Sequence, residues 1–219
     1  MPKNELSVAI QDYLKEIYKL QAKNGRASTS AIARALGVAP SSATSMLKKL
    51  AALGLVEHAR YHGVVLTDAG ERVALEVIRH HRLLEQYLAE TLGLSIDAVH
   101  AEADRLEHAL SEELEALIDR SLGYPTHDPH GHPIPDAELH VEQSELRPLA
   151  ALAPGEKATV RRVPDGDPDL LRYLSTLSIL PGRRVQIRSC APFEGPLTIL
   201  VAGAEHAISR ELAGQIDVA

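Results

Sequence analysis

The chain has 219 residues, 45% of them apolar, which is enough for a well-buried core spread over two or three small domains. Aromatic residues amount to 3% with no Trp, which speaks against a base-stacking platform for single strands, and a lone cysteine, Cys190, excludes an internal disulfide and a thiolate metal cage. The net charge of −7 is unevenly spread: residues 1–66 carry nine Lys/Arg and four Asp/Glu, residues 67–147 six and eighteen, and residues 148–219 eight of each, so a basic head that suits phosphates precedes an acidic middle that suits cations.

From Leu6 to about Gln21, Leu6, Ile10, Tyr13, Leu14, Ile17 and Leu20 mark one helical face that ends at Asn24-Gly25. Ser28-Thr29-Ser30 offers caps for a short helix over residues 31–36, closed by Gly37, and Pro40 fits the first position of a further helix through Leu50, stopped by Gly54. Two short β-prone runs, 55–58 and 63–66, then flank Ala59-Arg60-Tyr61-His62 as a hairpin. Helix, helix, turn, helix and hairpin make a winged helix-turn-helix. Thr67-Asp68 caps a long helix to about Leu92, Ser95 caps a second, and Ser111 begins a third that ends near Leu122-Gly123. Residues 124–135, with four prolines, form a connecting loop. From about Leu149 short strands take over (158–163, 184–188, 197–201 and 206–208), interrupted by one short helix over 169–177, in a small β-barrel-like module. The fold class is mainly α with a small β domain, divided as 1–67, 68–146 and 147–219. No apolar run reaches the roughly 18 residues of a membrane span and the N-terminus lacks a signal-peptide core, which predicts a cytoplasmic protein with no membrane partner.

The densest chemistry lies between His100 and His108. At 100° per residue His100, Asp104, Glu107 and His108 share one helical arc, beside an apolar arc of Ile96, Val99, Ala103, Leu106 and Leu110. Carboxylates and imidazoles bordering a core are costly to bury unless a positive charge gathers them, and a divalent cation would do so. His81 and Glu85, one turn apart inside an apolar sector, raise the same question. The wheel alone leaves metal binding and a solvated charged face equally open. In the third helix of the head, Ser41, Ser42, Thr44 and Ser45 occupy the first turns, after Ala39 and Pro40, with Lys48 and Lys49 one turn further on. Short hydroxyls reach base edges or phosphates and Lys neutralises phosphate, so this is the candidate recognition helix, with Arg60 at the wing tip; a winged helix used for protein contact is the alternative.

The order winged helix-turn-helix, His81-Arg82-Leu83-Leu84-Glu85, Val99 to His108, and Pro129-His130-Gly131-His132-Pro133-Ile134-Pro135 resembles the diphtheria toxin repressor family of iron- and manganese-dependent transcriptional regulators, over nearly the whole chain. The C-terminal module is similar to the SH3-like domain of its longer members. The resemblance implies a metal-activated homodimer on palindromic double-stranded operator DNA, with two metal sites per chain: a primary site of Asp12, Asp104, Glu107 and His108, and an ancillary site of His81, Glu85 and His100. Asp12 is nominated by resemblance only, since on the wheel it lies opposite Ile10, Leu14 and Ile17. In the iron-sensing branch Met and Cys stand at the positions of Asp12 and Asp104, so two Asp here resemble the manganese branch; Mn(II) is the expected metal and Fe(II) the alternative. The short manganese regulators carry Glu where this chain has Lys15. Asp167 and Asp169 are further candidates for the ancillary site. His127, His130 and His132 are read as part of the connecting loop, and Cys190 as a buried small hydrophobe. The competing classes are a winged-helix regulator without metal control and, more remotely, a metalloenzyme using Glu107 as general base.

Overall fold

A computed structural model describes residues 6–59, 63–142 and 144–219, which fall into two compact units. The first holds the N-terminal residues through His80 together with 135–140. Its helix α1 (Val8–Asn24) buries Ile10, Tyr13, Leu14 and Ile17 along one face and closes at Gly25 with φ 72°. Helix α2 (Thr29–Ala35) starts two residues earlier than its apolar pattern predicts, because Ser28 caps it by accepting from the Ala31 amide at 3.1 Å. Helix α3 (Pro40–Ala52) places Pro40 at its first position, where a missing N–H costs nothing. Strands β1 (Val56–Ala59) and β2 (Gly63–Leu66) pair antiparallel, and Val64 exchanges both backbone bonds with Ala27, which ties the wing to the turn before α2. Ile32, Leu47, Leu50, Val56 and Val64 complete one core with α1.

Helix α4 (Asp68–Glu90) is one uninterrupted run of 23 residues. Its entry is fixed by Thr67, whose hydroxyl donates to the Gly54 carbonyl at 2.8 Å and accepts from Gly70 N at 3.2 Å. A Cβ at Gly70 would stand 2.0 Å from the Leu55 carbonyl oxygen, so no other residue lets the helix begin there.

The second unit comprises 81–134 and 141–219. Helix α5 (Val99–Leu106) is shorter than the wheel predicts: Ser95 contributes its carbonyl to Ala98 N and Val99 N rather than a side-chain cap, and Glu107 already forms the C-cap. Helix α6 (Glu112–Ser121) is capped by the Ser111 hydroxyl as expected. Leu83, Leu84, Ala103, Leu110, Ile118 and Ile134 make the small helical core of this unit.

The remaining strands are β3 (Arg147–Pro148), β4 (Lys157–Arg162), β5 (Arg184–Cys190), β6 (Leu197–Val201), β7 (Ala204–Ile208) and β8 (Asp217–Val218), in an antiparallel sheet of order β3-β8-β4-β5-β6-β7. A 3-10 turn (Leu149–Ala151) and helices α7 (Pro168–Thr176) and α8 (Arg210–Ala213) complete it around a core that includes Val160, Leu171, Ile187, Leu197 and Val218. Alternation along β6, with Leu197, Ile199 and Val201 buried, is the period-2 signature that made this module readable; the two-residue strands β3 and β8 and the four-residue α8 carry too few residues for any period and were not foreseen.

Candidate metal centre

The second unit gathers its ionisable side chains around the imidazole of His81. Helical spacing puts His81 and Glu85 on one face of α4 and His100 and Asp104 on one face of α5, and the packing of Leu83, Leu84 and Ala103 brings elements of the two helices together. Glu85 Oε1, His81 Nε2 and His100 Nδ1 form a triangle with edges of 2.9, 3.0 and 3.0 Å. On its other side the His81 ring presents Nδ1 to Glu107 Oε2 at 2.6 Å and to Asp104 Oδ1 at 3.3 Å. Asp104 Oδ2 lies 3.7 Å from His100 Nε2, and His108 Nε2 is 3.3 Å from Glu107 Oε1. His81, Glu85 and Glu107 are buried, His100 and His108 half-buried, and Asp104 opens to solvent. Burial opposes the charge on Glu85, yet the imidazoles of His100, His130 and His81 hold its carboxyl well below the usual range.

A second cluster forms where the loop after α6 folds back. Glu85 Oε2 faces His130 Nδ1 at 3.6 Å, and the same nitrogen is 4.0 Å from Asp128 Oδ1. The loop is seated by backbone: Asp128 Oδ1 accepts from His130 N and His132 N, both at 2.9 Å, and the His130 carbonyl accepts from Val163 N at 2.9 Å. Gly131 makes this possible, with φ 87° and a virtual Cβ only 1.8 Å from the Arg161 carbonyl oxygen. Burial alone would lower the pKa of His130; the Glu85 carboxylate, then Asp128 and the Ile96 carbonyl that accepts from its Nε2, push it up to about 9 instead.

These donors fit a divalent cation. An octahedral ion with bonds of about 2.1 Å spaces neighbouring ligand atoms about 3 Å apart, the edge length of the Glu85–His81–His100 triangle. Among the described residues, Glu85 Oε2, Asp128 Oδ2, His130 Nδ1 and His132 Nδ1 are buried without a hydrogen-bond partner, an arrangement that costs free energy unless a cation completes it. One ligand atom each of His81, His100 and Asp104, and likewise of Glu85, Asp128 and His130, lies within 4.8 Å of the others in its group. All are oxygen or imidazole nitrogen.

The expected ancillary residues are thus brought together, as are Asp104, Glu107 and His108, but the two sets share His81 as a common wall. Asp12 is half-buried on α1 of the first unit. Lys15, at the position that separates this chain from the short manganese regulators, is buried on the same helix. Asp167 and Asp169 turn out to hold α7: Asp167 Oδ1 caps it by accepting from the Asp169 and Leu170 amides, and Asp169 pairs with Arg172, which also reaches Asp97 at 3.0 Å. The sequence alone does not single out Asp128, and it leaves His130 in a connecting loop because proline and glycine neighbours mark a surface segment; the glycine between two histidines, Gly131, was the available signal.

On α3 the hydroxyls of Thr44 and Ser45 donate back to the Pro40 and Ser41 carbonyls at 2.8 and 3.0 Å. Ala39, Pro40, Ser41, Ser42, Ser45, Lys48 and Lys49 are exposed and Thr44 half-buried, as a helix reading an external ligand requires. Arg60, with Tyr61 and His62, lies outside the described residues.

A winged head with an exposed polar α3, joined to a buried carboxylate–imidazole cluster, defines a metal-dependent DNA-binding regulator. Family models match three successive segments: an iron dependent repressor N-terminal DNA binding domain over 5–64, the metal binding and dimerisation domain of the same repressors over 67–136, and a FeoA domain over 147–219. The iron-dependent repressor IdeR of Mycobacterium tuberculosis is 31% identical over 98% of both chains. The HTH-type transcriptional regulator MntR of Lysinibacillus sphaericus is 37% identical over 47% of this chain and 73% of its own. Among solved structures, a manganese-dependent transcriptional repressor in complex with manganese is 40% identical, with a TM-score of 0.88 over 95% of this chain and 98% of that one. The chain belongs to the family of iron- and manganese-dependent transcriptional repressors. It is accordingly a metal-dependent transcriptional regulator and not an enzyme; its relatives are regulators too.

Proposed function

We propose that this chain is a manganese-responsive repressor that binds palindromic operator DNA as a homodimer when Mn(II) is bound, and that it controls metal uptake from the cytoplasm. The observation that carries this reading is the donor set: among the described residues, the clustered side chains of His81, His100, Asp104, Glu107, His108, Glu85, Asp128 and His130 offer only oxygen and imidazole nitrogen. Such a set suits Mn(II) or Fe(II) and provides none of the soft ligation of an iron-type Met and Cys pair.

The primary site is assigned to Asp12, Asp104, Glu107 and His108, with Asp12 taken from the family resemblance. The second site takes Glu85 with His81 and His100, and Asp128 and His130 supply further ligand atoms to it. A bound ion supplies charge neutralisation to carboxylates that burial otherwise penalises. Asp12 belongs to the DNA-binding head and Asp104, Glu107 and His108 to the dimerisation segment, so ligation by all four makes the pose of α3 depend on metal. Ser41, Ser42, Thr44, Ser45, Lys48 and Lys49 then meet the major groove, with Ala39, Pro40 and Arg60 beside them. The domain division 1–67, 68–146 and 147–219 follows this division of labour.

Homodimerisation is supported by an apolar groove of Leu84, Tyr87, Leu88, Leu92, Leu106 and Leu114, several of which are exposed. The test is an anaerobic DNA-binding titration with Mn(II), Fe(II), Co(II) and Zn(II) in turn. Mn(II) is expected to activate binding at the lowest free concentration; activation by Fe(II) below the Mn(II) threshold would move the assignment to iron, and DNA binding indifferent to chelator would remove metal control altogether.

A further inference from the structure

One cation of the second cluster is built into the chain. Arg82 follows His81 on α4, and its guanidinium reaches the returning loop rather than solvent: a terminal nitrogen donates to the Pro133 carbonyl, and Nε stands 3.7 Å from Asp128 Oδ2. The Arg82 side chain is 14% exposed and that of Asp128 is fully buried. Asp128 Oδ1 is satisfied by two backbone amides, while Oδ2 has no hydrogen bond among the described residues and faces Arg82 and, at 3.6 Å, His132 Nδ1. His132 in turn faces Asp165 at 3.7 Å. The carboxylates of Asp128, Asp165 and Glu85 thus favour a guanidinium charge that burial opposes.

We propose that Arg82 is the internal counter-ion of the Glu85–Asp128–His130 cluster: it keeps the loop from Asp128 to Pro133 seated in the metal-free chain and weakens the cluster's hold on a divalent cation, so that the second site fills at a higher metal concentration than the first. This role presupposes that the cluster is a metal site, as proposed above. A divalent ion entering it brings two positive charges close to a guanidinium already held there by Asp128 and Asp165, and in a poorly solvated pocket like-charge repulsion is strong. Without the ion the same guanidinium offsets Asp128, whose buried charge would otherwise be costly. Arg82 also spans two elements, so its hydrogen bond to Pro133 carries the loop's position to the helix that holds His81 and Glu85.

The test compares the full-length chain with R82Q, R82K and E85Q by Mn(II) titration, counting free Mn(II) by electron paramagnetic resonance, alongside thermal melts with and without Mn(II). E85Q is expected to lose one equivalent of Mn(II). R82Q should melt lower than the parent without metal, bind Mn(II) at the weaker site about tenfold or more tightly, and show a larger Mn(II)-induced rise in Tm. R82K keeps the charge on a less well-fitted stem, so it should melt lower while its Mn(II) affinity stays within about twofold of the parent. Arg82→Met, similar in length and uncharged, replaces R82Q should the latter fail to fold. Unchanged or weaker Mn(II) binding in both uncharged variants overturns the proposal, as does R82K tightening as much as R82Q, which would assign the effect to shape. If E85Q binds as many ions as the parent, the metal reading of this cluster fails, and the proposal with it.

Discussion

His81 is where the two expected metal sites meet. Its ring touches Glu107 and Asp104 through one nitrogen and Glu85 and His100 through the other, so a residue that resemblance gives to the ancillary site also contacts two residues expected in the primary one. His130 sits at the far end of the same chain of contacts and yields a pH prediction for the metal-free protein. Its pKa is raised to about 9 from an unfolded value of about 6.5. A raised folded pKa means that the contribution to stability is fully present below about pH 6.5 and is lost as pH rises through about 9, by up to about 3 kcal/mol. Melts of the metal-free chain between pH 6.5 and 9.5 should show Tm falling, and His130→Asn should flatten the slope; an unchanged slope in the variant would show that His130 is not the titrating group. The helical pairs His81/Glu85 and His100/Asp104 were legible in the sequence because an i, i+4 spacing fixes which side chains share a face. The contact between Glu85 and His130, 45 positions apart, was not, since no local period encodes where a loop returns.

Among the elements, the loop around Gly131 has the tightest fit. A methyl group at residue 131 would collide with the Arg161 carbonyl in a backbone conformation that L residues avoid, so G131A should cost about 2 kcal/mol or more and displace Asp128 and His130 from Glu85. Mn(II) titration of G131A should show the second equivalent weakened and the first retained; full retention of both would mean the loop is not part of the site. The wheel of α5 pointed to Glu107 and His108 as helical residues, whereas the helix ends at Leu106 and those two side chains occupy the turn that leads to the Ser111 cap. The chemistry survived the error because Glu107 keeps helical dihedrals, with its amide bonded to Ala103. The head was easier to read: Gly25, Gly37 and Gly54, all at positive φ, punctuate its helices, and Pro40 opens the third. The N-terminal strand pairs of the C-terminal module escaped notice since β3 and β8 are held by partners distant in sequence, Arg147 with Val218 and Pro148 with Asp217.

For the whole molecule, the charge pattern and the site describe one device. A head with a balance of +5 suits the polyanionic duplex, and an acidic middle of −12 concentrates cations where buried carboxylates can hold them. No helix among the described residues is long and apolar enough to cross a membrane, and exposed leucines, Leu106, Leu114 and Leu117, lie on α5 and α6. If metal sets the pose of the reading heads, the two equilibria are linked, and whatever factor Mn(II) adds to DNA affinity must reappear as the factor DNA adds to Mn(II) affinity. The most direct measurement of that link uses duplex DNA selected from a random pool in the presence of Mn(II). DNA binding is then followed by fluorescence anisotropy across a Mn(II) series, and Mn(II) binding is titrated with and without the same duplex, for the parent and for E107A. Equal factors of about tenfold or more are expected in the parent, with both lost in E107A while the fold is retained; DNA binding that ignores Mn(II) in the parent, or metal-dependent binding that survives in E107A, would show that metal does not set the reading heads.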